Sequence, residues 1–96
     1  MLYFALSQKN KFWAILSKGE IMQEHQILKY KHLGLNIAYY RKERGLSQIA
    51  LAEMVNVSRT HMSRIETADC AVSLDVVFDI CDALQVSPKD MFDFRK

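Results

Sequence analysis

From Leu33 onward, apolar residues recur at helical spacing. Leu33, Ile37 and Tyr40 take positions i, i+4 and i+7 of one face. Gly45, directly after Arg41-Lys42-Glu43-Arg44, predicts the end of this first helix beside cationic side chains. Ser47 then caps a second helix over 48–55, with Leu51, Met54 and Val55 as its apolar face. Asn56 stands where the chain must reverse, and asparagine tolerates positive φ better than most residues. Ser58 caps a third helix, over 58–66, turned inward by Met62 and Ile65. Ser73 caps a fourth, over Leu74 to Leu84, with Leu74, Val77, Phe78, Cys81 and Leu84 on one side. Ser87-Pro88-Lys89-Asp90 opens a fifth, with a serine cap, proline at the first helical position and an acid in the first turn, followed by Met91 and Phe92. No strand pattern follows residue 31, and neither an internal repeat nor a low-complexity stretch interrupts the chain. The pattern predicts an all-α domain of five helices over residues 32–96.

Residues 1–31 form an N-terminal extension of a different kind. Leu2-Tyr3-Phe4-Ala5-Leu6 and Phe12-Trp13-Ala14-Ile15-Leu16 flank a polar gap, Ser7 to Lys11. Three alternatives stay open: a hairpin, a helix packed on the domain or a partner, or a segment without function. The last has a concrete motive. Lys18-Gly19-Glu20-Ile21-Met22 can be encoded with an AAGGAG-like ribosome-binding sequence just before an ATG, which makes Met22 a candidate natural start.

Composition narrows the class. Of 96 residues, 50% are hydrophobic and 25% charged, with three Gly and one Pro, the balance of a single globular domain. No apolar run approaches the roughly 20 residues of a membrane span, so no membrane partner and a cytoplasmic location are expected. Cys70 and Cys81 have no partners at metal-ligand spacing and are too few for a disulfide framework. His25, His32 and His61 have no neighbour that suggests a catalytic triad or metal site, so neither catalytic residues, nor a metal, nor a cofactor is expected.

The formal net charge of +2 conceals an uneven distribution. Residues 41–64 hold five Arg or Lys against Glu43 and Glu53, whereas residues 69–93 hold six Asp against Lys89 alone. A polyanion would meet the middle of the chain, and the acidic fourth and fifth helices read as a solvated face or a site for a protein partner.

The second and third helices are short, joined by a tight turn and able to pack through Leu51, Ala52, Val55, Met62 and Ile65, which describes a helix-turn-helix over about 48–67. At about 100° per residue, Met62 and Ile65 face inward, while Arg59, Thr60, Ser63 and Arg64 share an outer arc of roughly 140° with His61 at its edge. That arc suits the DNA major groove. Arginine can donate to guanine O6 and N7 together, and threonine can meet a base acceptor or the thymine methyl. Each is also an ordinary solvated helix residue in the alternative reading. Gln48, at the start of the second helix, lies beside backbone amides that would face a phosphate, and Ser58, His61 and Arg44 are further candidates for backbone contacts.

Beyond this residue-level reading, GLSQIALAEMVNVSRTHMSRIE followed by SLDVVFDICDALQVSPKDMF resembles the phage-repressor, Cro and Xre family of helix-turn-helix regulators over roughly residues 33–92. The resemblance rests on the Leu-Ser-Gln start of the second helix, the Ser-Arg-Ile-Glu end of the third and the Ala-Leu-Gln-Val-Ser link before the last. It implies an all-α, five-helix lambda-repressor-like DNA-binding domain that acts as a homodimer on a two-fold operator of double-stranded DNA. It places Gln48, Arg59, Thr60 and Arg64 where family members contact DNA, and pairs Arg41 with Glu66 as an internal ion pair. Three positions depart from the family pattern: Asn56 replaces a turn glycine, Gln85 stands where glycine often follows the fourth helix, and the loop Thr67 to Val72 carries no Lys or Arg. A transcriptional regulator, as repressor or autoregulator, is the function implied. The rival is an antitoxin or accessory module that holds a protein partner and binds DNA weakly.

Overall fold

Four serines set the starts of four helices. In the computed structural model, which describes residues 23–95, Ser47, Ser58, Ser73 and Ser87 all have extended backbone, and each Oγ accepts a hydrogen bond from the amide three residues on: Ala50, His61, Val76 and Asp90. These caps satisfy donors that a helix start leaves unpaired. They open α2 (Gln48–Met54), α3 (Arg59–Glu66), α4 (Leu74–Leu84) and α5 (Pro88–Met91). The first helix, α1 (Ile27–Glu43), follows a 3-10 turn at Glu24–Gln26. The expected all-α architecture is present, with no strand among the described residues.

The ends of the first four helices are also alike. Gly45, Asn56, Ala68 and Gln85 have φ of 72°, 61°, 61° and 56°. Each donates its N–H to the carbonyl three residues back, and the next residue donates to the carbonyl five back, at 2.8–3.3 Å throughout. This is the left-handed ending that glycine fills most easily. Only Gly45 is a glycine. At three of the four turns the residue after the reversal is apolar, and Leu46, Val57 and Val86 pack on the core. Gln85, which departs from the family's glycine, therefore adopts the glycine geometry.

All five helices contribute to the core, whose largest fully buried side chains include Ile37, Leu51, Met62, Ile80, Leu84 and Met91. The C-terminal tail folds back on α1, where Asn36 Nδ2 donates to the carbonyls of Met91 and Asp93 at 2.9 and 3.1 Å and Phe94 stacks on His32. Both cysteines are buried, and no disulfide links them. Burial pushes the Cys81 thiol above its ordinary value, and the neighbouring Asp82 charge adds to the shift, so Cys81 is a poor nucleophile.

Several expected positions differ. The first helix begins at Ile27 and runs through the expected boundary between residues 31 and 32, because Ile27 and Tyr30 continue the buried rhythm backward from Leu33 and are themselves partly buried. Met54, Leu74 and Phe78, expected inside, are 54%, 60% and 44% exposed, and Phe92 is also exposed. Leu74 and Phe78 are neighbours one turn apart on the shoulder of α4, while Val77, Ile80, Cys81 and Leu84 form its inner face. The alternatives for the extension up to Met22 lie outside the described residues.

Gly34 is required by packing. A Cβ there would meet the carbonyl oxygen of Glu66 and come within 2.8 Å of Ile65 O, both backbone atoms at the end of α3. Close approach of α1 to α3 thus depends on a missing side chain. Gly34→Ala is expected to lower stability by about 1–3 kcal/mol, as overpacking against atoms that cannot yield. Gln85→Gly should raise it by up to about 1 kcal/mol by removing the left-handed strain. Urea unfolding of the two variants checks both signs.

Candidate nucleic-acid interface

α2 and α3 pack through small and mid-sized side chains. Leu51 and Ala52 on α2, with Val55 at its end, meet Met62 and Ile65 on α3, and all five are buried. Ala52 sits at this crossing, where a larger side chain would separate the helices. Asn56, in the left-handed conformation, reverses the chain between them. The inner face of α3 is thereby committed to the core.

The outer face is not. Arg59 and Thr60 are exposed, and neither side chain makes a hydrogen bond among the described residues. Arg64 is exposed and its Nη2 lies 3.4 Å from Asp69 O, a long contact that leaves most of its donors free. Ser63 is half-buried, and its carbonyl accepts from Thr67 Oγ1 at 2.9 Å. His61 is half-buried at the edge of the arc, with its Nδ1 4.0 Å from Cys70 Sγ. Ser58 uses its Oγ lone pair on the His61 amide, which leaves its hydroxyl proton available as a donor.

Behind the arc, three helices share one carboxylate. Arg41 Nε and Nη2 donate to Glu66 Oε2 and Oε1 at 2.6 and 3.0 Å, and Arg41 Nη1 donates to Leu46 O at 2.8 Å. Both charged residues are 8% exposed. Gln48 Nε2 donates to Glu66 Oε1 at 3.0 Å, so the same carboxylate orients the first residue of α2. An amide nitrogen has two protons, and one of Gln48's remains for another acceptor.

Arg44 is held elsewhere. Its Nε donates to Leu84 O at 2.7 Å and its Nη1 to Glu43 Oε1 at 2.5 Å, and the guanidinium lies over the Tyr40 ring. It completes the C-terminal end of α4, where free carbonyls favour a cation, rather than joining the α3 arc. The loop after α3 offers no replacement. Ala68, Cys70 and Ala71 are buried, and the exposed Thr67 and Asp69 bond to each other.

Comparison with known proteins fits this geometry. A family model described as helix-turn-helix (HTH_3) matches residues 37–91, more than half of the chain. The chain belongs to this helix-turn-helix family. Among solved structures, it is similar to the clp gene regulator ClgR from Corynebacterium glutamicum, with a TM-score of 0.64, 28% identity, and coverage of 66% of this chain and 81% of that one. It is also similar to the restriction-modification controller protein C.AhdI from Aeromonas hydrophila, with a TM-score of 0.62, 26% identity, and coverage of 65% and 94%. Among curated proteins, it is 36% identical over 59 residues to antitoxin PezA of Streptococcus pneumoniae, a match over 62% of this chain but only 37% of that relative's length.

Family membership places the chain among DNA-binding transcription regulators, and two residues gain a meaning that sequence reasoning had not given them. Gly34 lies two turns before Arg41 on the same face of α1, so the glycine admits the α3 backbone and the arginine meets its last side chain. The bond from Gln48 to Glu66 had no sequence signal beyond the position of Gln48 one residue after a capping serine. In this helix-turn-helix domain, Glu66→Ala should cost about 3–5 kcal/mol, because it strands a buried guanidinium. Replacing both partners, as Arg41→Met with Glu66→Leu, should recover most of that loss. Denaturant unfolding of the single and double variants checks the cycle.

Proposed function

We propose that this chain is a sequence-specific regulator, a repressor or autoregulator, that inserts α3 into the major groove of a two-fold operator as a homodimer. The observation that carries this reading is the arc of Arg59, Thr60 and Arg64, exposed donors with little or no internal engagement on the second helix of a helix-turn-helix. A side chain that the fold does not use is free to meet a base edge. Arg59 and Arg64 suit guanine O6 and N7, while Thr60 and Ser63 suit a nearby base acceptor or the thymine methyl.

Backbone contacts come from the flanks. The free amide proton of Gln48 and the hydroxyl proton of Ser58 point this function toward phosphates at the starts of α2 and α3, with His61 beside them. Arg44 is exposed, and beyond its bonds to Leu84 O and Glu43 Oε1 its guanidinium keeps donors for a phosphate. A two-turn recognition helix reads few base pairs, and two half-sites about 34 Å apart multiply its specificity.

A second reading has an observation of its own. The similarity to antitoxin PezA, with the row Asp75, Asp79 and Asp82 exposed on α4, favours a module that holds a basic protein partner. The two are separated by titrating the protein onto its own upstream DNA in a polarisation assay. Arg59→Ala and Arg64→Ala should each weaken binding by about 1–3 kcal/mol, roughly 5- to 150-fold, and relax specificity at one base pair. Intact affinity in both variants would remove α3 as the reading element.

A further inference from the structure

α1 is apolar on two sides, and the core uses one of them. Leu28 and Leu35 are 66% and 65% exposed, on the side of the helix away from the buried Leu33 and Ile37. At about 100° per residue, Leu28, Leu35 and Tyr39 share an arc about 40° wide, and the exposed Lys31 and Lys42 run along one edge of it. This outer stripe is apolar with a basic border.

α4 carries a counterpart of opposite charge. Leu74 and Phe78, 60% and 44% exposed, span about 40°, and the exposed Asp82, Asp75 and Asp79 follow on one side of them at about 80–140°. None of these acids, and neither Lys31 nor Lys42, makes an ion pair among the described residues. Asp79 and Asp82 border the hollow beside Met54 and Asn56, whereas Leu74 borders the groove that Lys29 also lines, so the acids stand on the side of α4 away from that lysine.

The two stripes do not meet within one copy. α1 and α4 turn their buried sides, with Leu33 and Val77, to the same core, so the stripes face outward in different directions. Complementary surfaces on different sides of one molecule make a heterologous contact between copies. Orientation follows from the order of the residues around each helix: viewed from the N-terminus, the lysines precede the apolar strip of α1 in the sense of rotation, and the acids follow that of α4. Laid strip to strip, the helices bring lysines against acids only when they run parallel.

We propose that α1 of one copy docks in parallel on α4 of a second copy, with Leu28 and Leu35 against Leu74 and Phe78 and with Lys31 and Lys42 along the aspartates. The contact can repeat from copy to copy, unlike the two-fold contact of a homodimer. One helix face on each side makes it small and weak. Neither stripe includes a residue of α2 or α3, so the recognition arc stays uncovered. Copies on adjacent DNA sites would be held at an effective concentration on the order of millimolar, at which a weak contact makes their binding cooperative. That consequence rests on the operator reading; the contact itself does not.

Sedimentation velocity of the full chain, without DNA, tests it. The weight-average sedimentation coefficient should rise steadily over a hundredfold range of concentration and fall on addition of salt, which screens exposed charges. Lys31→Glu with Lys42→Glu, and separately Asp75→Lys with Asp79→Lys, change exposed residues and should leave far-UV circular dichroism unaltered. Each pair should weaken association by more than about tenfold, since like charges then face one another. An equal mixture of the two variants should regain it, because the reversed α1 of one matches the reversed α4 of the other. A coefficient that stays constant in the parent chain, growth in either variant alone like that of the parent, or no recovery in the mixture overturns the proposal. A closed dimer that persists in both variants uses another surface and overturns it too. No DNA takes part in these measurements, so failure here leaves the operator reading standing.

Discussion

One carboxylate, that of Glu66, fixes the angle at which α3 leaves the domain. A buried charge is tolerated only when it is fully paired, since taking it out of water costs several kcal/mol. Here Arg41 gives it two donors and Gln48 a third, and the remaining Arg41 nitrogen is satisfied by Leu46 O. No buried side-chain nitrogen or oxygen among the described residues lacks a partner. Because Gly34 lets the α1 backbone touch the end of α3 two turns away, that end is held by contact at one point and by charge at another. Rotation of α3 would break both together. The orientation of Gln48 at the start of α2 follows from the same carboxylate, so the two flanks of the outer arc are set by one group.

Local chemistry was the most legible part of the chain. A serine that caps a helix acts on an amide three residues away, so Ser47, Ser58, Ser73 and Ser87 could be recognised without knowing what surrounds them. Asn56 belongs to the same class, being one of the few residue types for which positive φ is cheap. Ala68 shows the limit: nothing in an alanine signals a left-handed backbone, which here comes with burial and with the bonds from Ala68 N–H to Ile65 O and from Asp69 N–H to Arg64 O.

Tertiary choices were harder to read. Periodicity identifies an apolar arc but not which shoulder of it a neighbouring helix covers, and for that reason Leu74 and Phe78 were assigned inward while Ile80 was overlooked. Gly34 escaped because a hydrophobic pattern follows side chains, and its role is to have none. The Arg41 and Glu66 pairing came from family resemblance and needed 25 residues of separation to be closed in space. The charge of Arg44 gave no sign that its Nε would meet the carbonyl of Leu84, 40 residues away, at the end of α4.

Along α3 the duties of neighbouring residues do not overlap. Met62, Ile65 and Glu66 are buried and hold the helix, while the side chains of Arg59 and Thr60 make no hydrogen bond among the described residues and Arg64 makes one long contact. Substitution at Arg59 or Thr60 therefore removes no side-chain hydrogen bond of the described fold. The same architecture can therefore carry a different set of side chains on the outer side of α3, at little cost to the core beneath it.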